Sequence, residues 1–266
     1  MIYNTCGNLI ELSDLNEYLT SDLINEIYLK PKKVNQELIS EKLKDIEYVS
    51  KFNDTIKAYK NVDIEKIISD KISAFELDMS CKLDDYNIYI IIGLDTTTIY
   101  SIKYNGKDVT VLLLESTNGD MDKLDMLLAH EFTHFVRKQI FKRDIFENSI
   151  GERFVVEGIG CNYSRESVPN KDESEYCIVN RETINWVNNN LDKIELYMKS
   201  QMETNKLMSD FFYMFADTEK TGIPARTGYV YGYLKVKEYL EKNGLKVKDI
   251  IKKEWKDILL IQANQD

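Results

Sequence analysis

Leu127-Leu128-Ala129-His130-Glu131-Phe132-Thr133-His134-Phe135-Val136 holds the only two histidines of this 266-residue chain, four positions apart around a glutamate. The pattern is His-Glu-x-x-His. A helix advances about 100° per residue, so both imidazoles share one helix face and Glu131 lies toward the same side. Two imidazole nitrogens on one helix can bind one zinc ion, and Glu131 can then reach a water beside that ion. The spacing therefore predicts a zinc site.

The motif is predicted to lie in a helix from about Asp120 to Phe141, with Asp120 as the N-cap. Glu131 falls on a broad apolar stripe of this helix, and a divalent cation would compensate its charge there. Lys123, Arg137 and Lys138 are expected at the edges of the stripe or away from it. The alternative interpretation is a surface helix whose histidines are solvated.

A catalytic zinc site usually has three protein ligands, so a third must be found. The metzincin extension needs glycine at 137 and histidine at 140, where this chain has Arg137 and Ile140. The cysteines have no ligand spacing either; they are Cys6, Cys81, Cys161 and Cys177. The third ligand is therefore predicted to be a carboxylate.

Glu157 is the first candidate, because it lies in a locally apolar run from 151 to 160 where an unpaired carboxylate is hard to accommodate. The chain between His134 and Glu157 is long enough to end one helix, turn, and return along a second helix beside it. Gly158 and Gly160 would allow this second helix to approach the metal helix closely. His130, His134 and Glu157 would form the His-His-Glu set of thermolysin-like enzymes.

Other interpretations of these carboxylates stay open. The competing ligands are Asp144, Glu147, Glu152 and Glu166. Glu157 could instead form a buried ion pair with Arg153 or Arg165. Glu152 could serve as a partner that orients a ligand histidine.

Three segments together resemble a bacterial family of predicted zinc-dependent proteases. They are Leu128–His134, Val156–Ile159, and Gly228–Val236 with the following Tyr239-Leu240. The resemblance covers roughly residues 85 to 255. It implies a gluzincin-like site with His130, His134 and Glu157 as ligands and Glu131 as the catalytic glutamate. It also suggests a role for the Gly-Tyr-x-x-Gly segment.

A hydrolytic mechanism also needs a donor for the oxyanion, and with no third histidine a tyrosine or an arginine must serve. Tyr229 is the first choice, followed by Tyr231 and Arg226. The alternative for Tyr229 is an aromatic core residue, since the chain has 17 tyrosines.

The pattern of apolar residues predicts an α+β, mostly helical fold with a small β-sheet before the motif helix, and the family resemblance implies that this fold is zincin-like. Helices are expected within Leu9–Ser80 and over Tyr176–Lys199, Glu203–Phe215 and Tyr229–Lys242, with Gly244 as a C-cap. Strands are expected over Asn87–Ile92, Thr96–Lys103 and Asp108–Glu115, the last two joined by a turn at Asn105-Gly106. Residues 1–82 would form a helical N-terminal lobe and 83–266 a catalytic domain, with one continuous domain as the alternative.

Val109–Leu114 is the part of the sheet on which substrate binding could depend. It could form a sheet edge that takes an extended peptide as an added strand. An internal core strand is the equal alternative.

The net charge of −10 and the pI near 5.0 argue against non-specific nucleic-acid binding. The lysine-rich stretch from 245 to 256 is interpreted as a solvated helix face. No apolar run reaches the length of about 20 residues that a membrane span needs, and Met1–Asp14 has no signal-peptide pattern. With four unpatterned cysteines, the protein is expected to be cytoplasmic.

The sequence thus predicts a zinc-dependent peptidase with one zinc ion per chain, acting on a peptide or protein through metal-activated water with Glu131 as general base. A catalytically silent zincin-fold binding or regulatory module is the alternative, motivated by the helical N-terminal lobe. A hydrolase acting on another bond is a weaker one. The oligomeric state is left open.

Overall fold

A computed structural model describes residues 1–6, 12–94, 98–142, 149–199, 202–204 and 222–259. The chain divides into two compact units, Met1–Glu131 and Phe132–Asp266. The predicted boundary near residue 82 stays a prediction.

The first unit begins with strand β1 (Ile2–Asn4) and continues with short helices. They are α1 (Leu12–Leu19), α2 (Asp22–Ile24), a π-helical turn (Asn25–Leu29), α3 (Lys30–Lys32), α4 (Gln36–Lys42), α5 (Ile46–Tyr59) and α6 (Ile64–Met79). Asn35, Asp45 and Asp63 precede the last three, and each side chain accepts a hydrogen bond from a backbone N–H of the first turn. The predicted helical character of this region is confirmed, whereas β1 was not predicted.

The sheet of the first unit contains β1, β2 (Ile88–Ile91), β3 (Ile99–Tyr104) and β4 (Lys107–Leu113), in the order β1-β2-β4-β3. β1 and β4 both run parallel to β2, and β3 runs antiparallel to β4. β4 is therefore an internal strand. The expectation that Val109–Leu114 forms an edge that receives a peptide is wrong, because β2 occupies one side of this segment and β3 the other.

The connection between β3 and β4 is the predicted two-residue turn. Asn105 and Gly106 both have positive φ, 50° and 75°, as a type I′ turn requires. The turn fixes the register of the hairpin, with Tyr104 opposite Lys107.

A 3₁₀ turn (Leu114–Thr117) leads into α7 (Met121–Phe141), which carries the His-Glu-x-x-His motif. Asp120 Oδ1 accepts hydrogen bonds from the backbone N–H of Asp122 at 2.9 Å and of Lys123 at 3.3 Å. The predicted N-cap and extent of the motif helix are both confirmed.

The second unit is helical over the residues described in it. It holds α8 (Ile150–Ser167), α9 (Glu173–Tyr176), α10 (Arg181–Lys199), α11 (Thr227–Asn243), α12 (Val247–Ile250) and α13 (Trp255–Leu259). Gly244 ends α11 with a φ of 62°, as predicted. Most of the predicted helix Glu203–Phe215 lies outside the described residues. The mostly helical α+β class is confirmed.

α8 and α11 pack through two glycines. A Cβ on Gly158 would overlap the carbonyl oxygen of Gly232, and a Cβ on Gly232 would overlap that of Phe154. Gly158 thus serves the contact with α11, which corrects the expectation that it allows approach to the metal helix. Among the described helices, none is both long and apolar enough to cross a membrane.

Candidate metal centre

Three predicted ligands come together at α7 and α8. His130, His134 and Glu157 each offer one ligand atom, and these atoms all lie within 4.8 Å of one another. His134 Nε2 lies 3.5 Å from Glu157 Oε2. His130 and Glu157 are each 3% exposed, and the His134 side chain is 14% exposed.

The spacing of the donor atoms suits a zinc ion. In a tetrahedral zinc site with ligand bonds of about 2.0 to 2.1 Å, neighbouring donor atoms are about 3.4 Å apart. The distance of 3.5 Å between His134 Nε2 and Glu157 Oε2 matches this value, and all the donor atoms lie within 4.8 Å of one another. Two imidazoles and a carboxylate are a donor set that zinc accepts, so the residues present fit this metal.

The competing carboxylates have other partners or cannot be compared. Glu152 receives hydrogen bonds from Arg137, and Glu166 Oε1 accepts one from the backbone N–H of Val247 at 2.9 Å. Asp144 and Glu147 lie outside the described residues. Arg165, one of the two proposed ion-pair partners of Glu157, contacts Glu241 at 3.2 Å.

Glu131 is half-buried and lies near strand β3. Its Oε2 atom is 3.5 Å from Ser101 Oγ, at the long limit for a hydrogen bond. Ser101 Oγ is also 3.4 Å from the hydroxyl oxygen of Thr110, its partner on β4. Ser101 was not singled out from the sequence, because only the register of the hairpin brings it to Glu131.

β3 lies at the edge of the sheet, so one of its two sides, called the open side, faces away from β4. In a two-residue hairpin the pair that flanks the turn is hydrogen-bonded and the pairs then alternate, so Tyr104, Ile102 and Tyr100 bond to β4. The backbone N–H and C=O groups of Ser101 and Lys103 therefore point away from β4. No strand in the described part of the chain pairs with that side of β3.

The three candidate oxyanion donors lie in or next to the first turns of α11. Tyr229 is 8% exposed, and the Arg226 guanidinium lies 5.4 Å from its ring centre while donating to the carbonyl of Ile178 at 2.9 Å. Tyr231 packs edge-on against Phe154, with ring centres 5.1 Å apart. Burial raises the pKa of the Tyr231 phenol, as do the charges of Glu195 and Glu238. Tyr231 thus has the surroundings of a core aromatic residue, and the catalytic role of Tyr229 stays a prediction.

Arg137 is the main residue of this region that sequence reasoning misplaced. It was expected at the edge of the apolar stripe or away from it, but it is only 2% exposed. Nε and Nη2 donate to Glu152 Oε1, and Nη1 donates to the carbonyls of Ile251 at 3.0 Å and Lys253 at 3.1 Å. These partners are 15 or more residues away in sequence, so a helical wheel cannot reveal them.

Comparison with known proteins bears on the family. Neither the curated proteins nor the solved structures contain a significant match to the chain. A family model described as "Predicted Zn-dependent protease (DUF2268)" matches residues 80–260, which is more than half of the chain and includes α7, α8 and α11. The chain belongs to this family of predicted Zn-dependent proteases.

Proposed function

We propose that the protein is a zinc-dependent peptidase that holds one zinc ion with His130, His134 and Glu157. The observation that carries this proposal is the convergence of these three donors beside the glutamate of a His-Glu-x-x-His helix. Membership of a family named for zinc-dependent proteolysis supports it independently.

The chemistry follows from the position of Glu131. A zinc ion held by His130, His134 and Glu157 would act as a Lewis acid that lowers the pKa of a water molecule and polarises the scissile carbonyl. Glu131 accepts the proton of that water as general base and delivers it to the leaving amine. Its half-buried carboxylate follows His130 directly in α7, and Ser101 Oγ lies 3.5 Å from one of its oxygens.

We assign the binding of the substrate backbone to the open side of β3. The N–H and C=O groups of Ser101 and Lys103 can pair with an extended peptide as an added strand. Ser101 lies beside Glu131, so a peptide paired there passes the general base. This assignment replaces the one that the sequence suggested for β4.

Tyr229 is the proposed donor to the oxyanion. It lies one helical turn before Gly232, through which α11 packs on Gly158, the residue after Glu157. The Arg226 guanidinium lies 5.4 Å from the centre of its ring. A phenol at this place can donate a hydrogen bond to a developing negative charge.

Tyr229→Phe is expected to lower kcat by about 10²- to 10³-fold, because loss of one oxyanion donor has this cost. Zinc content should stay unchanged, since no ligand is removed. The measurement is steady-state cleavage of a peptide substrate, together with metal analysis. Tyr231→Phe is the matched control and should retain activity, because Tyr231 packs on Phe154. The assignment to Tyr229 is wrong if the two variants show the opposite order.

The proposed function is tested by metal analysis combined with mass-spectrometric profiling of peptides exposed to the protein. We expect one zinc per chain, cleavage that stops when a chelator removes the metal, and recovery on adding Zn²⁺ back. A protein that binds one zinc tightly but cleaves no peptide in a broad library would instead support the silent binding module. A protein that binds no zinc would refute both.

A further inference from the structure

The buried contact between Arg137 and Glu152 joins the two helices that carry metal ligands. Arg137 is three residues after His134 on α7, and Glu152 is five residues before Glu157 on α8. The two contacts, His134 with Glu157 and Arg137 with Glu152, lie in antiparallel order along the same pair of helices. With a rise of about 1.5 Å per residue, they are roughly one to one and a half turns apart.

The guanidinium also holds a third segment. Nη1 donates to the carbonyls of Ile251 and Lys253, in the turn that follows α12. The Trp255 ring lies against the first turn of α8, where a Cβ on Gly151 would overlap it. The Arg137 guanidinium therefore holds α7, α8 and the turn before α13 together. Its central carbon lies 4.6 Å from the centre of the Phe141 ring.

Stability alone does not explain an ion pair in this position. Arg137 and Glu152 are 2% and 3% exposed, and taking both charges out of water cancels much of their attraction. Apolar residues of similar volume commonly give equal or greater stability at such places. The pair instead restricts the relative positions of its partners. Four of the five N–H groups of the planar guanidinium donate hydrogen bonds, and this forked geometry permits one arrangement of the acceptors.

We propose that Arg137 is a positioning residue, which sets the register of α7 against α8 so that His134 and Glu157 reach the same ion. The proposal rests on the zinc site proposed above. Under this proposal the contacts of Arg137 with Glu152, Ile251 and Lys253 determine metal affinity rather than folding. Arg137 itself makes no contact with the metal or the substrate in this role.

The test removes both charges together, so that neither is left buried alone. We expect Arg137→Met/Glu152→Leu to weaken Zn²⁺ binding by about 10- to 100-fold, the usual effect of losing groups that orient metal ligands. The affinity is measured by competition with a chromogenic chelator. The thermal unfolding midpoint of the metal-free variant should stay within a few degrees of the wild type, and the visible spectrum of Co²⁺ bound in place of zinc should change.

Two further variants keep the test decisive. Arg165→Met/Glu241→Leu removes an exposed ion pair between α8 and α11 and should leave Zn²⁺ affinity and the Co²⁺ spectrum as in the wild type. Arg137→Lys retains the charge without the fork, and we expect it to weaken Zn²⁺ binding by about 10-fold even if the double variant fails to fold.

Wild-type Zn²⁺ affinity in a folded Arg137→Met/Glu152→Leu or Arg137→Lys variant would overturn the positioning role and leave the proposed peptidase intact. A wild-type protein without Zn²⁺ binding would instead refute the proposed function, and the positioning role with it. Because the readouts are metal affinity and the Co²⁺ spectrum, the inference can be tested without a known substrate.

Discussion

Replacing Glu131 with glutamine is expected to lower the rate of peptide cleavage by about 10²- to 10⁴-fold, the usual contribution of a general base, while one zinc stays bound per chain. The amide has nearly the shape of the carboxylate but cannot accept the proton of the attacking water. His130, His134 and Glu157 are untouched, so metal content separates this effect from loss of the site. The measurement is single-turnover cleavage together with metal analysis.

Asp125→Asn is the matched control for this prediction. It makes the same change from carboxylate to amide on the same helix, at a residue that forms an ion pair with Lys71. Turnover should stay within a factor of about two, because an ion pair at the surface contributes little to stability. A Glu131→Gln variant that cleaves as fast as this control would exclude Glu131 as the base and with it the proposed mechanism.

Glu157→Gln is expected to weaken Zn²⁺ binding by at least about 10²-fold, more than the loss of groups that only orient ligands. The amide is a weaker zinc donor than the carboxylate and has no charge to balance the cation. Cleavage should fall in parallel at limiting zinc and recover in part when excess zinc is supplied. Competition with a chelator gives the affinity, and thermal unfolding of the metal-free protein shows whether the variant is folded.

Glu166→Gln provides the control on the same helix. Glu166 was a competing ligand by sequence, but it accepts a hydrogen bond from the backbone N–H of Val247. We expect the Glu166→Gln variant to keep the zinc affinity of the wild type, in contrast to Glu157→Gln. If Glu166→Gln releases zinc and Glu157→Gln does not, the ligand assignment must be reversed.

The local features of the fold were predictable because local chemistry determines them. Asp120 begins α7 because a short carboxylate can cap the first turn, and Asn105-Gly106 forms the turn because both residues tolerate positive φ. The spacing that places His130 and His134 on one face of α7 follows from helical geometry. Glu157 could be selected because a carboxylate in an apolar run needs a compensating charge.

Long-range features were not predictable from the same signals. β1 comprises only three residues and pairs with β2 across more than 80 positions, so no local pattern reveals it. β4 is internal because β2 pairs with it on one side and β3 on the other, and its pairing with β2 spans the intervening β3. Arg137 looked like a surface residue, because its charge is visible in the sequence and its buried partners are not. Ser101 has no motif of its own and reaches Glu131 only through the hairpin register.

The contact between Gly158 and Gly232 limits how this molecule can change over evolutionary time. At most helix interfaces a larger residue on one side can be accommodated by a smaller one opposite. Here the atoms nearest to each glycine are main-chain carbonyl oxygens of the opposite helix, which no side-chain substitution can remove. The close approach of α11 to α8 beside Glu157 therefore requires a glycine at both positions, whatever the surrounding side chains are.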